Sequence, residues 1–190
     1  MDYHAGGEQI AAYRKQIGEI RERIRAAQAA TEPEVVADYE FKTLAGPVRL
    51  SALFGRHDDL LVVHNMGRSC PACTMWADGY TGLHPHVTQR AALVVSSPDP
   101  PEVQKAFAES RGWKFPMVSH EGTSFAADMG YRGANGGFMP GVSAFRRRGA
   151  QIVRVSDTHW GPGDDFCAVY HFFGLLPDGT AGFRPKFSYP

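Results

Sequence analysis

Two cysteines three residues apart open the segment Cys70-Pro71-Ala72-Cys73. Pro71 suits the first position of a helix, where its missing N–H costs nothing, so Cys70 is expected at the helix N-cap. There the free backbone N–H groups and the positive end of the helix dipole favour thiolate over thiol. Cys70 is therefore the expected nucleophile. Cys73 stands about one turn further on, shielded yet placed to attack a mixed disulfide on Cys70 and release the partner. A second chemistry is open to the same residues. With His84 and His86, the pair offers four sulfur and nitrogen ligands of the kind tetrahedral zinc takes. Paired zinc histidines usually stand three to five residues apart, so His84-Pro85-His86 fits that pattern poorly.

The elements that must hold this pair alternate. Leu60 to His64 is a continuous apolar run of strand length before the cysteines, and a helix is expected from about Cys70. A strand over Ala91 to Ser96 follows, then a helix from Pro101 to about Arg111, a short strand at Phe115 to Val118 and a helical turn from Ser124 to Met129. Val142 to Arg146 and Gln151 to Ser156 pair as a hairpin around Gly149, and Asp164-Asp165 are expected to cap a last helix through about Leu176. Upstream, Tyr39 to Leu50 reads as a hairpin turning at Gly46-Pro47. This is the pattern of an α/β fold with a mixed sheet and helices on both faces. From Glu8 to Ala30 an amphipathic helix carries Ile10, Tyr13, Ile17, Ile20, Ile24 and Ala27 on one face and ends before Pro33. Packing against its own domain and a dimerisation arm both suit that stripe. The expected division is residues 1–34 for the helix and 35–190 for the α/β domain.

A Cys-x-x-Cys that opens the first helix after a central strand resembles the thioredoxin-like superfamily. Pro140, five residues before Phe145, is similar to the cis-proline that faces the cysteines there. His64-Asn65-Met66-Gly67, Cys70-Pro71-Ala72-Cys73-Thr74, Trp76-Ala77-Asp78-Gly79 and Gly112-Trp113-Lys114-Phe115-Pro116 together resemble a bacterial thioredoxin-like family of unassigned function, from about Val36 to Gly179. The resemblance implies a thioredoxin-like sheet with an N-terminal β-hairpin extension. It implies further that Pro140 shapes a substrate groove, with Pro71 beside it; Trp76 is a candidate for the same groove, a place in the core being the commoner role of a large aromatic. It also places His64, six residues before Cys70, where thioredoxins carry a buried acid that deprotonates the second cysteine, with a plain structural role as the other reading. Gly46 to Ser51 and Phe115 to Ser119 resemble the peroxiredoxin elaboration of the fold. Peroxiredoxins, however, carry Pro-x-x-x-Thr-x-x-Cys, whereas Met66 and Ser69 stand before Cys70 and proline is absent. That departure weakens a peroxidase.

Composition narrows the partners. Twenty Lys and Arg against twenty Asp and Glu leave no net charge to draw the chain onto nucleic acid or an anionic membrane. The amino terminus has no signal-peptide pattern and no apolar run is long enough to span a bilayer, so a cytoplasmic location is expected. Cys167 reads as a buried small hydrophobe, Asp78 as a solvated or capping acid, and the arginines at 146–148 and 154 as a solvated edge. The expectation is a thiol–disulfide oxidoreductase with Cys70 attacking and Cys73 resolving. It needs no cofactor beyond its own disulfide and acts on a thiol or disulfide protein or a small thiol such as glutathione. A thiol peroxidase, or a zinc-binding or redox-sensing module without turnover, are the alternatives.

Overall fold

The computed structural model describes residues 2–190. The chain divides into two compact units, Met1–Glu34 and Val35–Pro190. The first unit is dominated by α1 (Tyr3–Ala30), whose N-terminus is closed by the Asp2 carboxylate accepting from the Ala5 N–H at 2.9 Å. The helix starts five residues before the expected Glu8, because that cap admits Gly6 and Gly7 to the first turns.

The remaining elements run β1 (Glu34–Val36), β2 (Glu40–Thr43), β3 (Gly46–Arg49), α2 (Leu50–Leu53), β4 (Asp59–His64), α3 (Pro71–Val87), β5 (Ala92–Ser97), α4 (Pro101–Arg111), β6 (Met117–Ser119), α5 (Phe125–Asp128), β7 (Gly141–Arg148), β8 (Gln151–His159) and α6 (Ala168–Phe173). One eight-stranded sheet has the order β1-β8-β7-β4-β5-β6-β2-β3. At its centre β4 lies parallel to β5 and antiparallel to β7, and β5 lies parallel to β6. Parallel neighbours require a crossover, and α3 and α4 supply the two. The β2–β3 pair is the expected hairpin, joined to the sheet through β6, but it turns at Leu44-Ala45 rather than at Gly46-Pro47, which pair with Thr43 and Lys42 as the first residues of β3.

Side-chain alternation along β4 splits the core in two. Leu60 and Val62 point to one face with Val94, Phe125, Tyr131 and Phe145, while Val63 points to the other with Val95, Trp76, Ala77 and Tyr80. Helices α3 and α4 therefore cover the second face and α5 the first, as the unbroken apolar composition of β4 and β5 requires. Two expectations change here. Asp164 and Asp165 do not cap a helix: Asp164 accepts from the N–H groups of Gly161 and Phe166 in a turn, and α6 begins only at Ala168. The arginines of 146–148 lie on β7, an interior strand rather than an edge, with Arg146 paired to Asp59 at 2.6 Å and Arg147 set over Phe54.

Candidate active site

The five residues between β4 and Cys70 are held at both ends. Asn65 donates its N–H to the Ser96 carbonyl at 2.9 Å, and its side-chain oxygen accepts from Gly67 N–H at 2.8 Å. Asp99, just past β5, accepts from Arg68 N–H at 2.7 Å. Gly67 has φ +98, and a Cβ there would stand 3.0 Å from the Asp99 carboxylate. Only glycine meets both conditions without strain. The turn closes with Cys70 N–H donating to the Gly67 carbonyl at 3.1 Å. The outcome is that Cys70 arrives at the C-terminal end of the parallel strands, where open α/β sheets bind ligands.

Cys70 is the N-cap of α3, with Pro71 behind it in the first turn. Its Sγ accepts the Cys73 N–H at 3.1 Å, and its carbonyl receives both the N–H and the hydroxyl of Thr74 at 3.0 Å. Cys70 is half-buried, whereas Cys73 is buried beneath it, and both thiols are free. The Cys73 thiol, followed by the backbone N–H groups of Cys73 and Ala72, outweighs the opposing effect of burial and brings the Cys70 thiol down to about 6. Giving its proton to that hydrogen bond, and buried besides, Cys73 is pushed far up. One sulfur is thus ionised at neutral pH and reachable, and the other is protonated and covered.

The other anticipated residues fare differently. His64 is on the sheet face opposite α3, stacked on Tyr131 with ring centroids 3.7 Å apart and planes 5° from parallel, and its Nε2 is 2.9 Å from Ser143 Oγ. Burial keeps it neutral by lowering its pKa well below the usual range. The sheet separates it from Cys73, so the assisting role expected for it is withdrawn. Trp76 is 4 % exposed in the core beneath α3, stacked with Trp160, and so lines no groove. Pro140 precedes β7, whose Gly141 pairs with His64, which sets the proline beside the loop that carries Cys70. No peptide bond among the described residues is cis, so the expected cis-proline is a trans one. His84 and His86 occupy the far end of α3, about 21 Å and about 24 Å along the helix from Cys70 at 1.5 Å per residue. They cannot share a metal with the cysteines, and no cluster of three ligating side chains occurs among the described residues.

Asp78 accepts the Trp113 indole N–H at 2.8 Å and pairs with Arg111, a latch between α3 and the end of α4. Cys167 is buried against the Trp76, Tyr80 and Trp160 cluster. Asn65 and Asp99 were not singled out from the sequence. The available signal was that both follow the C-terminal ends of parallel strands.

The fold and this site define a thioredoxin-fold protein with a dithiol at the start of α3, the helix that follows the central strand β4. The chain belongs to the family described as "Bacterial protein of unknown function (DUF899)", which it matches over residues 4–186. No curated protein matches its sequence. Among solved structures it is similar to peroxidoxin BcpB from Mycobacterium tuberculosis, at 26% identity and TM-score 0.53, over 72% of this chain and 88% of that one. It is similar also to peroxiredoxin Q from Xanthomonas campestris, at 20% identity and TM-score 0.55, over 64% and 80%. A third likeness is to reduced Prx3 from Vibrio vulnificus, a structure with hydrogen peroxide, at 16% identity and TM-score 0.54, over 70% and 90%. Counting residues corrects the placement of the peroxiredoxin pattern. Its proline and threonine fall on Val63 and Gly67 when counted from Cys70, and on Met66 and Cys70 when counted from Cys73. Neither count finds the pair.

Proposed function

We propose that the protein is a thiol–disulfide oxidoreductase. The Cys70 thiolate attacks one sulfur of a substrate disulfide, forming a Cys70–substrate bond and expelling the other sulfur as a thiolate that takes a proton from water. Cys73, once deprotonated, attacks Cys70 Sγ, forming the Cys70–Cys73 disulfide and releasing the second substrate thiol. Two electrons pass from the pair to the substrate, and a dithiol protein or a small thiol such as glutathione returns them. The observation that supports this reading is the unequal pair itself: a half-buried Cys70 whose Sγ accepts the Cys73 N–H, above a buried and protonated Cys73.

The test is a glutathione redox titration with acid quenching, alkylation and intact mass. The expected result is one two-electron transition confined to Cys70 and Cys73, and loss of disulfide reduction in Cys70→Ser. A pair that stays reduced at every potential, or full activity in Cys70→Ser, overturns the proposal. The likeness to the peroxiredoxin structures favours a second reading, in which Cys70 attacks a peroxide oxygen, becomes a sulfenic acid and releases water or an alcohol. Cys73 then condenses with it, forming the same disulfide and a second water. Peroxide consumption that outpaces disulfide reduction would favour that reading.

A further inference from the structure

The apolar residues of α1 alternate three and four apart: Ile10, Tyr13, Ile17, Ile20, Ile24 and Ala27. None of the side chains of this helix is buried, and about half the surface of each of the five large ones is exposed. A strict three–four alternation is the narrow seam of a coiled coil rather than the broader stripe of a helix laid on a globular core. In heptad terms Ile10, Ile17 and Ile24 occupy the a positions, and Tyr13, Ile20 and Ala27 the d positions. Isoleucine at every a position is a feature of parallel two-stranded coils, and Tyr13 and Ala27 depart from the isoleucine at both a and d that shifts coils to higher order.

The flanking positions say which partner fits. The e positions are Arg14, Arg21 and Gln28, and the g positions are Gln9, Gln16 and Arg23. In a parallel, in-register pair of identical helices each g residue faces the e residue five places on in the other copy. That sets Gln9 against Arg14, Gln16 against Arg21, and Arg23 against Gln28. Every pair is one glutamine and one arginine, so a guanidinium meets an amide oxygen and no two cations meet. An antiparallel pair with the Ile17 and Ile20 layers matched sets Arg14 against Arg21 twice along the flank where e positions meet, a like-charge contact.

We propose that α1 is a self-association element, which pairs with α1 of a second copy of this chain as a parallel, in-register coiled coil. The pairing stands independently of the thiol chemistry. It also supplies what an amphipathic helix of this kind lacks in isolation, a surface to cover its apolar face.

The test is light scattering on the full-length chain at tens of micromolar, with Ile17→Glu as the seam variant. The wild type is expected at twice the chain mass, and Ile17→Glu at the mass of one chain with Cys70 alkylation unchanged. Orientation is read from Ile10→Cys in a chain that also carries Cys70→Ser and Cys73→Ser, where mild oxidation is expected to join residue 10 to residue 10 of the second copy, a pair that the antiparallel arrangement holds about 25 Å apart. A wild type of single-chain mass overturns the proposal, including one that associates only with vesicles of anionic lipid. A double-mass species that survives Ile17→Glu overturns it too, since another face would then hold the copies together. Loss of the dimer in Ile17→Glu without the 10-to-10 link rules out the parallel register.

Discussion

The backbone N–H of Cys73 donates to Cys70 Sγ at 3.1 Å, so the residue expected to displace the substrate from Cys70 is also the one that steadies its charge. The attacking sulfur and its resolver form one electrostatic unit.

That unit sets a pH profile. Alkylation of reduced Cys70 is expected to rise through a midpoint near about 6 and level off above it, since thiolate is the reacting form. Cys73 should stay unlabelled in the folded protein. Cys73→Ala removes the thiol that does most to lower Cys70 and leaves the backbone donors in place, so the midpoint should move upward. Iodoacetamide kinetics by intact mass from pH 4 to 9 checks both outcomes.

The loop before Cys70 depends on a missing side chain. In Gly67→Ala a methyl group at positive φ presses on Asp99, and a cost of about 1–3 kcal/mol is expected, which thermal unfolding would show as a lower Tm. Asp99→Ala deletes the acceptor of Arg68 N–H with no such clash. It should slow Cys70 alkylation while costing less stability than Gly67→Ala.

Across the sheet, Gly141 has no room for a methyl group. A Cβ would stand 2.4 Å from the Thr158 carbonyl and from the Tyr131 ring, so Gly141→Ala must displace β8 or the ring stacked on His64. Overpacking of this kind costs about 1–3 kcal/mol and sometimes more. Urea unfolding followed by tyrosine fluorescence would report it.

Two buried histidines make the fold acid-sensitive. His64 is held well below the usual histidine range, and His120 is pushed down to about 4, both mainly by burial. Below about pH 6.5 the unfolded chain binds protons at these positions while the folded chain does not, so stability falls as pH falls from there toward 4. The slope should approach two protons. Urea midpoints at pH 7.5, 6 and 5 test it, and a flat profile would mean that neither ring is neutral by burial.

Local signals and global ones were unequally legible. Pro71 beside Cys70 announces a helix N-cap through the geometry of its own ring, so the dithiol and the start of α3 were readable from four residues. Pro101 likewise opens α4, and the run to Arg111 was read without error. His64 was not readable, because Leu60-Leu61-Val62-Val63 is apolar on both faces and carries no alternation to say which side the next residue takes. Trp76 could have been placed: with Cys73, Ala77 and Tyr80 it shares the three–four spacing of the buried face of α3. The trans bond at Pro140 has no signature in residue type. The delayed start of α6 was hidden because Asp164 has two uses, cap or turn, that look alike in sequence.

His64 lies behind the sheet, and the charge acting on the Cys73 thiol is that of Cys70 itself. When Cys70 becomes bonded to a substrate, that charge departs and the hydrogen bond that held the Cys73 proton departs with it. The two halves of the reaction then run on different clocks. In the proposed reaction capture uses a nucleophile already ionised, whereas release needs a proton to leave a covered sulfur, so a mixed disulfide on Cys70 is expected to accumulate, which intact mass after acid quenching would show.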